Sequence, residues 1–476
     1  MEHIPAPAID FISLAPALIL SVFGMLVLLM DLFAGKNKNL LVFASLVGLV
    51  LAGVSAFAPK ALPVVSFGGS YVVDHLSVFF TLIFVFSSAL TILLSIEYNP
   101  RNGIRAGEYY ALILFCTVGM ILLASATDLI MIFLGIEVVS ICLYVLAGIK
   151  RGDVKSNEAA LKYFLLGAFA TGFLVYGMTL LYGATGTTKL AGIAEVIHSG
   201  QTNSDTLLLL GTVLLIIGFG FKVASVPFHM WAPDVYEGAP SPVTAFMAVG
   251  PKAAALVAFY RVFATAIPEI GTTWDTLLMV VAVATMVIGN FGAIVQTNIK
   301  RLLAYSSISH VGYLLIAIIA RNSLGGSAIA YYMMAYAFMI FGTFGIVILL
   351  GEKNSENLEI KNYAGLGVKQ PAIALCMTVF MLSLGGMPPF AGFIAKFYIF
   401  GAAIKEGYVV LVVIAVLNSV VSLYYYLKIV VLMYMKDSER ELELSMGPIT
   451  LAVVAIAVFG TIEMGLFPDP ILQLTQ

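Results

Sequence analysis

Runs of apolar residues near the length of about 20 that a helix needs to cross bilayer hydrocarbon follow one another almost without pause along this chain. They fall at roughly 12–33, 39–58, 74–96, 109–125, 128–149, 157–182, 206–232, 241–267, 274–295, 299–320, 326–350, 371–404, 408–434 and 447–467. Lipid satisfies no backbone hydrogen bond, so a spanning segment must satisfy its own, and a helix does this. Fourteen such runs therefore predict an all-α polytopic membrane protein. Of its 476 residues 61% are hydrophobic and 11% are charged, against about 25% charged in soluble domains, so a water-facing surface could not hide this much apolar area.

The basic residues test the count. With the N-terminus outside, the cytoplasmic connections carry Lys36, Lys38, Arg101, Arg105, Lys150, Arg151, Lys155, Lys300, Arg301, Lys353, Lys361, Lys369, Lys436 and Arg440. The opposite side carries only Lys60, Lys189, Arg321 and Lys405. This split of 14 to 4, with six of the 24 basic residues inside spans, would collapse if one span were missed or invented mid-chain. Both termini are expected on the non-cytoplasmic side. The start, MEHIPAPAID, lacks the basic region of a cleaved signal peptide, so the first run reads as a retained span. Loop 183–205 has room for a short interfacial helix around LAGIAEVIHSG, and 351–370 is polar; neither is large enough for a soluble catalytic domain. Trp231 and Trp274 fall near span ends, where aromatic-belt residues sit.

Several chemistries drop out. Cys116, Cys142 and Cys376 are far apart, and no C-x-x-C or Cys/His cluster offers a metal or iron–sulfur site. No phosphate loop appears, and a net charge of −2 gives no reason to expect nucleic acid. Energy for transport must come from an ion gradient or from a partner.

Two spans are interrupted. In the seventh, Lys222 lies within a 25-residue stretch, 207–231, that has no other fixed charge, and Pro227 follows five residues later. In the twelfth, Gly385, Gly386, Pro388, Pro389 and Gly392 should unwind the helix near its middle, and Lys396 follows. A proline at this depth frees backbone groups, and ionisable residues beside such breaks are the usual layout of an ion site. The broken spans are five apart and so cross in opposite directions, as an inverted repeat requires. The expected organisation is a three-helix segment over 1–108, inverted five-helix repeats over 109–267 and 268–435, and a C-terminal helix over 436–476.

Charge at bilayer depth costs several kcal/mol or more, so the residues that carry it are candidates for function. Glu137 lies in the fifth span, Lys252 midway along the eighth and Lys162 near the start of the sixth; Lys428 and Arg261 lie toward span ends. Burial disfavours the ammonium form of a lysine, and a nearby carboxylate restores it, so opening or closing such a pair can drive proton uptake and release. The competing reading is a set of satisfied polar pairs that hold helices together or snorkel to the interface. His229, two residues past Pro227, and His310, in the tenth span, are the candidate relays. Tyr305, Ser306, Ser307 and Ser309 around His310 could hold water.

Three motifs carry a resemblance: GFKVASVPFHMWAPDVYEGAPSPVTAFM (220–247), NIKRLLAYSSISHVGY (298–313) and GGMPPFAGFIAKFYIF (385–400). They closely resemble the antiporter-like membrane subunits of respiratory complex I, and the likeness covers essentially the whole chain. Mrp-type cation/proton antiporter subunits and membrane-bound hydrogenase subunits share the pattern. A lysine at 396, and no long lateral helix after GLFPDPILQLTQ, narrow the resemblance within the complex I group. What it implies is a proton channel in a bacterial inner membrane. Glu137 and Lys222 would be the coupled pair, Lys252 the central link and Lys396 the exchange point of the second half-channel. Lys162, His229 and His310 would modulate or relay. It also implies that NADH, FMN, iron–sulfur clusters and quinone sit on partner subunits and none on this chain. The partners would be other membrane subunits and the peripheral arm of an NADH:quinone oxidoreductase.

Overall fold

Helices occupy every apolar run, and among the described residues six of them begin at a side chain that caps them. The computed structural model describes residues 10–33, 35, 38–104, 107–267, 271–351, 356–437 and 447–474, with the side chains of 271–273 left aside. The first half comprises α1 (Ala15–Asp31), α2 (Asn39–Ser55), α3 (His75–Arg101), α4 (Glu108–Ser125), α5 (Leu129–Ala147), α6 (Val154–Thr185), α7 (Leu190–His198), α8 (Asp205–Val223), α9 (Trp231–Gly238) and α10 (Ser241–Arg261). The second comprises α11 (Gly271–Ile294), α12 (Ile299–Ala320), α13 (Ser323–Leu349), α14 (Leu366–Lys369), α15 (Pro371–Gly385), α16 (Ala391–Lys405), α17 (Val409–Met435), α18 (Pro448–Leu466) and α19 (Asp469–Gln473). A short hairpin, Val64–Ser66 with Tyr71–Val73, lies between α2 and α3.

Among the described residues, 11 helices are long and apolar enough to cross a membrane. The remaining runs are filled by shorter apolar helices: α1, α2 and the pair α15/α16 of the interrupted twelfth run. Asp128, Asp153, Ser204, Asn298 and Asn322 accept backbone N–H bonds at the starts of α5, α6, α8, α12 and α13. Asp74 and Ser77 close a reciprocal capping box on α3.

Both breaks fall where the sequence places them, and they are built alike. After α8 the chain turns left-handed at Ala224 (φ 62°), and after α15 it does so at Gly386 (φ 82°). The next amides fold back in the same way, Ser225 onto the Gly220 carbonyl at 2.8 Å and Met387 onto that of Leu382 at 3.0 Å. A cis proline follows two residues later in each, at Val226–Pro227 and Pro388–Pro389. Freed backbone groups find side chains: Val226 N donates to Thr285 Oγ1 on α11 at 3.0 Å, and Gly392 N donates to Ser383 Oγ at 3.1 Å.

The connections sort to two ends of the bundle as the alternation of spans demands. At one end Lys155 meets Glu237, Lys162 and Arg301 meet Asp234, Lys300 meets Glu356, Asn298 pairs with Glu359, and Arg151 meets Glu108. At the other, Thr127 bonds Ser70, Asp128 pairs with Lys189, Arg261 meets Asp74, and Arg321 and Tyr408 share Asp275. Lys36, Arg105, Lys353 and Arg440 lie outside the described residues.

The core runs along α10 and α12, each 94% buried over its most apolar stretch, whereas α6 and α17 are only 33% buried and form the flanks. The tryptophans depart from the belt expectation. Trp231 is buried, stacks on Tyr163 at 4.5 Å and donates to the Phe221 carbonyl at 3.0 Å; Trp274 is buried as well. A span end against a second helix is interior rather than lipid-facing, and periodicity does not distinguish the two. Lys428 lies exposed on α17, whereas Arg261 is buried at the end of α10, tied to both Asp74 oxygens and to the Ala124 carbonyl, and belongs to the bundle end rather than to the lysine row.

Candidate functional site

The half-buried Lys222 is in the last turn of α8, where the cation faces the negative end of the helix dipole. Its ammonium donates to Ser140 Oγ on α5 at 2.7 Å. Ser140 lies three residues after Glu137, one turn along the same helix. Glu137 accepts from Thr171 Oγ1 of α6 at 2.9 Å. Among the described residues Glu137 and Lys222 form no direct ion pair; Ser140 holds the ammonium and Thr171 the carboxylate. The hydroxyl gives the ammonium an uncharged resting partner within a turn of the carboxylate.

Lys252, midway along α10, is 3% exposed. It donates to Ser307 Oγ on α12 and lies 5.8 Å from the centre of the Tyr236 ring. One turn beyond Ser307, the buried His310 uses both ring nitrogens, Nδ1 with Tyr332 OH and Nε2 with Tyr426 OH at 3.0 Å. A neutral imidazole donates from one nitrogen and accepts at the other, so His310 can pass a proton by exchanging tautomers between two phenols. Tyr426 OH continues to Ser306 Oγ.

Lys396, on α16, is 4% exposed and reaches back across the second break. Its ammonium donates to the carbonyls of Leu384 (3.3 Å) and Gly385 (3.1 Å) and to Ser419 Oγ (2.8 Å) on α17. The two carbonyls are the C-terminal end of α15, another negative helix terminus that receives a cation. The Tyr313 ring, one turn from His310, lies 5.0 Å from the ammonium.

Lys252 and Lys396 thus flank His310 and share one trait: their hydrogen-bond partners among the described residues are neutral oxygens. A buried ammonium with no counter-ion is not locked in its charged form. Tyr236, Tyr313 and Tyr336 line the same interval, and each has a buried hydroxyl that lies near Ser307, or near Asn290 and Ser422, without a well-formed hydrogen bond. Buried polar atoms of this kind normally bind ordered water.

The structure does not bring Lys162 into this row. It is part-exposed at the bundle end and pairs with Glu158 and Asp234, each at 2.7 Å. His229 lies in the first break, half-buried, with Nδ1 unpartnered. Of the residues around His310, Ser306 and Ser307 belong to the row, whereas Ser309 bonds the Ser306 carbonyl and Tyr305 packs on Gly292. Ser140, Thr171, Ser419, Tyr332 and Tyr426 join the site only through tertiary packing. Serine and tyrosine also serve as interhelical glue, so nothing in the sequence marked these five.

Residues 126–422 match the family described as NADH:quinone oxidoreductase/Mrp antiporter, TM. The chain is similar to NADH-quinone oxidoreductase subunit N of Trichlorobacter lovleyi, at 50% identity over 464 residues, 97% of this chain and 95% of that one. NADH-quinone oxidoreductase subunit N 2 of Rhizobium meliloti is 44% identical over 460 residues, covering 96% and 95%. A chain of respiratory complex I from Thermus thermophilus with bound Aureothin superposes with a TM-score of 0.81 at 36% identity, covering 96% of this chain and 98% of that one.

Proposed function

Because this chain belongs to the NADH:quinone oxidoreductase/Mrp antiporter family, we propose that its buried lysine row carries the protons this membrane subunit translocates. The chain is a proton-translocating membrane subunit of NADH-quinone oxidoreductase, respiratory complex I, and its partners are the other membrane subunits. In our reading NADH, FMN, the iron–sulfur clusters and quinone are held by partner subunits, and this chain has no redox centre. The membrane is a bacterial inner membrane, with both termini on the non-cytoplasmic face. Residues 109–267 and 268–435 act as two inverted half-channels, and the matched breaks support that division.

The observation that carries this reading is the pair of buried lysines, Lys252 and Lys396, held by neutral oxygens on either side of His310. Charge rearrangement in a neighbouring subunit shifts Glu137 relative to Lys222. Lys222 then leaves Ser140 for the carboxylate or returns, and the field along the row changes. Protons pass from Lys252 through His310 and the water around the tyrosine hydroxyls to Lys396. His229 exchanges protons at the first break, and Lys162 tunes the end of the bundle from its ion pairs.

The test is Lys222→Ala in the whole complex reconstituted in liposomes. Assembly should persist while NADH-driven proton uptake falls. Wild-type pumping in that variant would refute the role. Lys396→Ala tests the second half-channel separately.

A further inference from the structure

A charge pair lies at the loop end of α10 and α12, the helices that carry Lys252 and Ser307. Lys300, in the first turn of α12, is 1% exposed; it donates to Glu356 Oε2 at 2.9 Å and to the Ala239 carbonyl at 2.6 Å. A lysine at a helix N-terminus opposes the dipole, so this position is not explained by helix stability. Glu356 also accepts from Tyr98 OH, and from Ser241 N (3.2 Å) and Oγ (2.8 Å) at the start of α10. The end of α10 nearest Glu356 has no side-chain cap from its own sequence neighbours. The pair therefore joins the beginnings of the helices that carry Lys252 and its partner Ser307.

The line starts at the surface and is buried from there on. The Glu356 side chain is 17% exposed and borders solution, whereas Lys300, Ser307 and Lys252 are all buried. Lys300 and Ser307 are seven residues, two turns, apart on one face of α12, a rise of about 10.5 Å. Tyr236 borders this interval. Its ring lies by Lys252, its helix ends at the carbonyl that Lys300 holds, and its buried hydroxyl lies beside Ser307 without a well-formed hydrogen bond. A buried hydroxyl left unsatisfied there marks a place for water between the two lysines.

We propose that Glu356 and Lys300 form the proton-loading station that supplies Lys252 from the loop end of the bundle. This rests on Lys252 being a proton carrier, as set out above. A Lys300 N–H bond breaks as an N–H bond forms on neutral Lys252, through water by Tyr236 and Ser307. Loss of the ammonium leaves the Glu356 carboxylate without its counter-ion, so it takes a proton from solution. Its O–H bond then breaks as the Lys300 ammonium reforms. One proton enters from solution, one reaches Lys252, and no electron moves. Among the described residues, the titratable groups facing Glu356 are Lys300 from α12, Tyr98 from α3 and Tyr363 from its own connection.

The decisive variant is Lys300→Arg, measured in the complex reconstituted in liposomes. Arginine keeps the positive charge and a bond to Glu356 but does not release a proton. The station predicts an assembled complex whose proton uptake falls at least tenfold. Wild-type uptake would show a structural ion pair and overturn the proposal. Glu356→Gln gives a second reading, because it keeps an acceptor for Ser241 and removes the proton exchange. Its uptake should fall more steeply above neutral pH than below, with Glu356→Asp restoring the profile. A loss equal at every pH, or one that aspartate does not rescue, would also overturn it. Lys252→Ala separates the two levels: normal pumping there refutes the lysine row itself, whereas a defect there with normal Lys300→Arg refutes only the loading station.

Discussion

Gly386→Ala places one methyl group against Lys396 without replacing an ionisable residue. A Cβ built there lies 2.9 Å from Lys396 Cδ, 2.9 Å from Nζ and 3.3 Å from Cε. Unstrained contacts need about 3.5–4.0 Å, so the lysine tip must withdraw by roughly 0.6–1.1 Å. Its bonds to the Leu384 and Gly385 carbonyls, at 3.3 and 3.1 Å, then exceed hydrogen-bonding range, while the 2.8 Å bond to Ser419 can follow the movement. Losing one net charge-assisted bond disfavours the ammonium by about 1.5–3 kcal/mol, or roughly 10- to 150-fold in protonated Lys396. The left-handed backbone at Gly386, φ 82°, adds about 1–2 kcal/mol of strain for alanine, which lowers stability rather than coupling. The assay is NADH-driven proton uptake by the reconstituted complex, compared with quinone reduction in the presence of an uncoupler. Uptake should fall at least tenfold with assembly retained. Gly401→Ala, on the helix that carries Lys396 and with open space around its Cβ, should be neutral. Full pumping in assembled Gly386→Ala, or an equal defect in Gly401→Ala, would refute the argument.

Further outcomes follow from other contacts. Ser140→Ala removes the resting partner of Lys222 and should impair pumping about tenfold or more, since a hydrogen bond to a charged group contributes about 1.5–3 kcal/mol; uptake measurements check it. Trp231→Phe keeps the stacking on Tyr163 but removes one of two bonds to the Phe221 carbonyl, which Ala224 N still reaches at 3.0 Å, and should cost about 0.5–1.5 kcal/mol in thermal unfolding of the complex with pumping intact. Burial alone would push the Glu356 carboxyl up, but the Lys300 ammonium and bonds from Tyr98, Lys300 and Ser241 hold it below the usual carboxylate range. A depressed carboxyl stabilises the fold above its unfolded value, and this contribution is lost as pH falls through the folded one. Thermal stability should therefore drop less on acidification in Glu356→Gln than in the wild-type chain, which differential scanning of the two will show.

The membrane architecture was legible because apolar length is dictated by the bilayer, and the breaks because proline and glycine act locally. Lys222, Lys252 and Lys396 stood out on charge alone. Their partners did not. Ser140, Ser307 and Ser419 matter through the helix each faces, which a hydropathy pattern that is apolar all round does not reveal. Lys162 looked like a member of the row because its depth was read from span position; Asp234, which holds it at the bundle end, comes from α9. Trp231 shows the same limit, since a residue near a span end faces lipid or protein according to its neighbours. Glu356 was hidden in a connection read only as polar, and its partners lie on three separate helices.

Helix α3 ends with two neighbouring residues whose partners come much later in the chain. Tyr98 bonds Glu356, 258 residues on, and Glu97 accepts from Ile449 N, Thr450 N and Thr450 Oγ1 at the start of α18, about 350 residues on. In a chain inserted from its N-terminus, Glu97 waits without these donors until the last long helix arrives, and α18 has no side-chain cap from its own sequence neighbours. The early helices therefore hold an open berth through synthesis of the whole subunit. Biogenesis closes in one late step, when α18 docks on a helix that was among the first to enter the membrane. Chains truncated before residue 447 should stay in the membrane as unfinished bundles, exposed to quality-control proteolysis.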